Sequence, residues 1–97
     1  MITLITSANS AEAYQLKSKL FTGEVILGDY EALPNLMIKS GKMIQLPNPK
    51  SASYCHQMLT LCLDRGIDAV YPLRDEEAVL LKEAQQLFEE YGIIIKY

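Results

Sequence analysis

The 97-residue chain is 49% hydrophobic and 22% charged, too short for two cores and too apolar for disorder, so a single globular domain over residues 1–97 is expected. Its formal charge of -3, with nine scattered lysines and arginines, argues against a nucleic-acid partner, which would need clustered cations to neutralise phosphates. No apolar run nears the roughly 18 residues of a membrane span, and the start Met1-Ile2-Thr3-Leu4-Ile5-Thr6 has no basic leader, so no membrane partner and a cytoplasmic location are expected.

In chain order, Ile2–Thr6 is a β-branched strand pattern that runs into the polar turn Ser7-Ala8-Asn9-Ser10. A helix follows through Phe21. Asn9 and Glu12 have the spacing of a capping box, and Ala13, Leu16 and Leu20 form the stripe that meets a sheet. Thr22-Gly23 ends this helix, and Glu24–Leu27 is a second strand closed by Gly28-Asp29-Tyr30. The segment 33–41 is apolar without a period and holds both proline and glycine, which reads as a crossover with one helical turn.

Residues 42–46 form a third strand, blocked by Pro47-Asn48-Pro49 before a helix over 51–65 with Ala52, Cys55, Met58 or Leu59, and Cys62 inward. The two cysteines lie about two turns apart on that helix, roughly 10 Å along its axis, too far to bridge. Gly66 suits a left-handed cap and Ile67–Tyr71 a fourth strand. After Pro72-Leu73-Arg74 a third long helix has Asp75 as its expected N-cap, with Glu76 and Glu77 in the first turn where the helix dipole favours carboxylates. Leu80 or Leu81, Ala84, Leu87 or Phe88, and Tyr91 make its inner face, Gly92 caps it, and Ile93–Tyr97 is strand five. Strands alternating with helices imply right-handed crossovers, a mostly parallel sheet and helices on both faces: an α/β Rossmann-like, three-layer fold.

Ligands of such sheets bind outside the carboxyl ends of the strands where the strand order reverses. That selects Ser7 to Ser10, Asp29 and Tyr30, Leu46 and Pro47, and Pro72 to Glu76, with Ser7, Asn9, Ser10, Asp29, Asp75 and Glu76 as the candidate ligand-binding residues. No glycine precedes Gly23, so the Gly-x-Gly-x-x-Gly cradle of dinucleotide binders is missing and no such cofactor is expected. Ser7, Ser10 and the helix amides could hold one phosphate or carboxylate, or serve only as a cap. Asp29 stands where an acid can hold ribose hydroxyls or simply meet solvent at a turn beside Tyr30. Asp75, Glu76 and Glu77 suit a cation or amine, although helix capping already explains them. His56 and Cys55 point about 100° apart on a helix, and one histidine with two cysteines falls short of a zinc site, so neither a catalytic residue nor a metal ligand is assigned.

Several segments resemble one family. Ile2-Thr3-Leu4-Ile5-Thr6, the strand-ending Gly28-Asp29, Met43-Ile44-Gln45-Leu46-Pro47, Gly66-Ile67-Asp68-Ala69-Val70-Tyr71-Pro72 with Asp75-Glu76-Glu77, and Leu87-Phe88-Glu89-Glu90-Tyr91-Gly92-Ile93 are similar to the N-terminal, pre-ATP-grasp domain of carbamoyl-phosphate synthase-like and related carboxylate-amine ligases. The resemblance covers nearly the whole chain. It implies strand order 3-2-1-4-5 and places nucleotide binding and phosphoryl chemistry in domains that these residues do not include. The glycine-rich first turn usual in those ligases is Ser7-Ala8-Asn9-Ser10 here, and the acid-lysine pair before strand three is Gly41-Lys42. The expected role is a non-catalytic interaction or substrate-side domain, self-associating as a homodimer or pairing with a separate ATP-grasp ligase chain. The alternative is a module binding a nucleotide, amino acid or carboxylate at the C-terminal edge of the sheet.

Overall fold

A computed structural model describes residues 2–20, 23–41 and 43–96. Its strands are β1 (Ile2–Ile5), β2 (Glu24–Asp29), β3 (Met43–Gln45), β4 (Ala69–Tyr71) and β5 (Ile94–Ile95). The helices are α1 (Ala11–Lys19), α2 (Asn35–Lys39), α3 (Tyr54–Arg65), α4 (Asp75–Glu83) and α5 (Gln85–Glu90). All four strand pairings are parallel and the order is β3-β2-β1-β4-β5. This is the Rossmann-like α/β sheet expected, and its order reverses between β1 and β4, the two neighbours on which the crossovers diverge.

The two faces follow from the two-residue period of a strand. Leu4, Ile44, Val70 and Ile95 point into a core with Met58 and Cys62 of α3, Leu81 of α4 and Phe88 of α5. Their sequence neighbours Ile5, Leu27 and Met43 point the other way, against Ala13 of α1 and Leu33 before α2. Most strand residues are therefore apolar, as a sheet covered on both faces demands.

Several element ends differ from expectation. The cap of α1 is Ser10, whose hydroxyl accepts from the Ala13 N–H at 3.3 Å and donates to the Ser7 carbonyl at 2.8 Å; Asn9 is exposed and makes no capping box with Glu12. β2 runs on through Gly28 and Asp29, which pair with Ile44 and Gln45. Glycine is required at position 28, because a Cβ there would lie 2.9 Å from Leu46 Cγ. α3 begins at Tyr54 rather than 51, so Ala52 is exposed and the buried stripe is Tyr54, Met58, Leu59 and Cys62, with Cys55 half-buried at its margin. Gly66 does close α3 in the left-handed region at φ 67°, and the Ile67 N–H reaches back to the Cys62 carbonyl at 2.9 Å.

The third long helix is two. At Ala84 the φ/ψ of -98°/9° leaves the helical region and separates α4 from α5. Arg74, not Asp75, occupies the N-cap position of α4 and makes no side-chain cap. Leu81 and Phe88 are the inward choices, whereas Tyr91 is exposed. β5 is two residues long, flanked by the buried Ile93. The expected helix end at Phe21 and Thr22, the first residue of strand three at Lys42, and the last of strand five at Tyr97 lie outside the described residues.

Candidate functional site

At the strand-order reversal hydrogen bonds carry the β1–β4 pairing past the strand ends. The Thr6 N–H donates to the Tyr71 carbonyl at 3.1 Å, and the Leu73 N–H donates to Thr6 Oγ1 at 2.9 Å. On the other side the Ala8 N–H donates to the Gly28 carbonyl at 3.0 Å, which fixes the β1–α1 turn against β2. Ser7 sits in this turn at φ 57°, a left-handed conformation for a non-glycine residue, and is buried. The turn thus takes at one position the backbone geometry that glycine adopts freely.

Beside this junction lies a polar cluster centred on Arg74. Its Nη2 donates to both carboxylate oxygens of Asp29 at 3.0 Å and also to Glu31 Oε1. Its Nε lies 3.8 Å from Glu77 Oε1, and its guanidinium carbon stands 4.8 Å from the Tyr30 ring centroid. Asp29 and Glu77 are both fully buried. Tyr54 of α3 donates its hydroxyl to Glu77 Oε2 at 3.0 Å. Gln45, at the end of β3, turns its amide nitrogen toward the carbonyls of Asp29, Tyr30 and Glu31, at 3.1, 2.8 and 3.3 Å, and so holds the β2–α2 turn in register with Arg74.

Electrostatics follow from burial. Burial opposes the charge on Arg74, but hydrogen bonds and attraction from Asp29 and Glu31 outweigh it and raise its affinity for the proton. Burial pushes the Glu77 carboxyl above its ordinary value of 4.5, against the pull of the Tyr54 and Thr6 hydroxyls and of Arg74. Burial likewise pushes the Cys62 thiol up to about 12 and raises Cys55.

Of the residues expected at a site, Asp29 and Glu76 are brought together, joined through Arg74 and Tyr30, whose hydroxyl lies 3.4 Å from Glu76 Oε1. Asp29 is not a solvated acid or an open ribose ligand; its oxygens are committed to Arg74. Asp75 and Asn9 are exposed, and Ser10 is occupied in capping. Arg74 lies within the expected segment Pro72 to Glu76 but was not among the expected site residues, and Gln45 and Tyr54 were not expected there. The pairing of Arg74 with Asp29 spans 45 positions, and the visible signal was only a lone arginine ahead of three acids. His56 is exposed and lines a shallow concavity of about 350 Å³ with Gln57, Thr60, Leu61 and Asp64 on α3, while Cys55 Sγ faces the Leu80 carbonyl at 3.5 Å. Among the described residues, no three His, Cys, Asp or Glu are placed to hold a metal ion. No described helix is long and apolar enough to cross a membrane.

The family model of the PylC-like N-terminal domain matches residues 2–96. The chain belongs to that family. A PylC-like N-terminal domain is a pre-ATP-grasp domain, the unit that precedes the catalytic part of ATP-grasp ligases, and its sheet order is the one found here. No curated protein matches the chain. In this PylC-like domain the carboxyl edge of the sheet carries an ion-pair network centred on Arg74 in place of a glycine-lined cradle.

Proposed function

We propose that the domain is a non-catalytic, cytoplasmic interaction and substrate-side unit for ATP-grasp ligase chemistry, with nucleotide binding and phosphoryl transfer carried by domains outside these 97 residues. Membership of the PylC-like N-terminal family over residues 2–96 carries this reading. Two features of the surface support it. The carboxyl edge is occupied by its own ion pairs, since moving Arg74 to serve a ligand would strand two buried carboxylates, which is strongly unfavourable. The β5 edge is open instead: Ile94 and Lys96 donate their N–H groups to the carbonyls of Asp68 and Val70 in the β4 segment, so the alternation of a strand turns the Ile95 N–H and C=O outward. Beside that edge Ile94 and Tyr91 are 46% and 55% exposed.

The surface presented to a partner is therefore an apolar strand edge of the kind that pairs with another chain. The partner is a second copy or a separate ATP-grasp ligase chain. Light scattering across a concentration series tests self-association. A dimer that Ile94→Lys converts to monomer is the expected result, and a wild-type domain still monomeric at high micromolar concentration would remove the homodimer from the proposal.

A further inference from the structure

We propose that Glu77 is the proton-binding member of a clasp that holds the carboxyl edge of the sheet more tightly as pH falls. The geometry that motivates it is a shortage of cations. Two fully buried carboxylates, Asp29 and Glu77, share the guanidinium of Arg74. Nη2 is committed to Asp29 and Glu31, and Glu77 is left with an Oε1 that accepts no hydrogen bond and lies 3.8 Å from an equally unpartnered Nε. A buried anionic oxygen without a donor is costly, and neutralising it by a proton removes that cost.

Every element around Glu77 contributes to its field. The Thr6 hydroxyl just past β1, Asp29 at the end of β2, Tyr54 of α3 and Arg74 at the start of α4 face it. Arg74 is the sole cation in that set, and it is shared by the two buried carboxylates Asp29 and Glu77. The Tyr54 hydrogen bond survives protonation, because Oε2 remains an acceptor. The neutral form therefore keeps α3 and α4 joined and leaves Arg74 wholly to the β2–α2 turn.

The sign follows from linkage. Burial raises the carboxyl above 4.5, so the folded chain binds this proton more tightly than the unfolded chain does. The contribution is least favourable at high pH, improves as pH falls through the folded-state titration, and levels off near 4.5.

The test is a carboxyl-carbon NMR titration of Glu77 in the wild-type domain, with melting temperature followed from pH 8 to 5 for wild type and Glu77→Gln. The expected titration midpoint lies above 4.5. The expected variant melts higher than wild type at pH 8, by an amount that shrinks toward pH 5, because the amide imitates the protonated acid. A midpoint at or below 4.5, or melting curves that stay parallel across the range, would overturn the proposal. If the variant does not fold, the wild-type titration decides alone.

Discussion

Arg74 is the residue on which the carboxyl edge depends. Replacing it with methionine keeps most of its stem but leaves Asp29 and Glu77 buried without their counter-charge, a change expected to cost about 3 kcal/mol. Removing Glu31, whose side chain is 55% exposed, is expected to cost less than about 1 kcal/mol although it contacts the same guanidinium. Urea unfolding of Arg74→Met and Glu31→Ala separates the two; equal losses would mean that the buried pairs carry no special weight. The cysteines give a second outcome at this scale. With Cys62 pushed to about 12 and Cys55 raised by partial burial, both thiols are protonated at pH 8. A thiol reagent at that pH is expected to label the half-buried Cys55 slowly and the buried Cys62 only on unfolding, as peptide mapping would show.

At the scale of elements, the caps decide where helices start and stop. Ser10→Ala removes the oxygen that serves the Ala13 amide and is expected to cost about 1 kcal/mol, whereas Asn9→Ala, one residue earlier, should stay within about 0.5 kcal/mol. Gly66→Ala forces a side chain to φ 67° and is expected to cost about 1 kcal/mol as well. Thermal or urea unfolding of the three variants checks the ranking. The same residues show what was legible in the sequence. Strand positions were, because β-branched runs such as Ile2–Ile5 are bounded by turn residues, and Gly66 marked its cap through a conformation that only glycine takes easily. The cap of α1 was misplaced by one because Asn9 and Ser10 are equally good capping residues, and only the fold sets which one reaches the third helical amide. The break at Ala84 had no glycine or proline to announce it. Asp29 was misread because its partner Arg74 is distant in sequence, and a strand-end acid looks the same whether or not an arginine will meet it.

For the whole molecule, the balance lies between an ion-paired carboxyl edge and an open β5 edge. The sheet covers both faces of its central strands with helices and fills the strand-order reversal with its own hydrogen bonds. The β5 edge exposes Ile94 and carries no proline among the described residues, with its two-residue length and the adjoining Lys96 as the features that limit pairing. The most direct measurement is the mass of the purified domain by light scattering from low to high micromolar concentration, wild type beside Ile94→Lys. We expect the wild-type mass to rise to twice that of the monomer while the variant stays monomeric. A wild-type domain that remains monomeric throughout, or a variant that dimerises as readily as wild type, would contradict a homodimer built on the β5 edge.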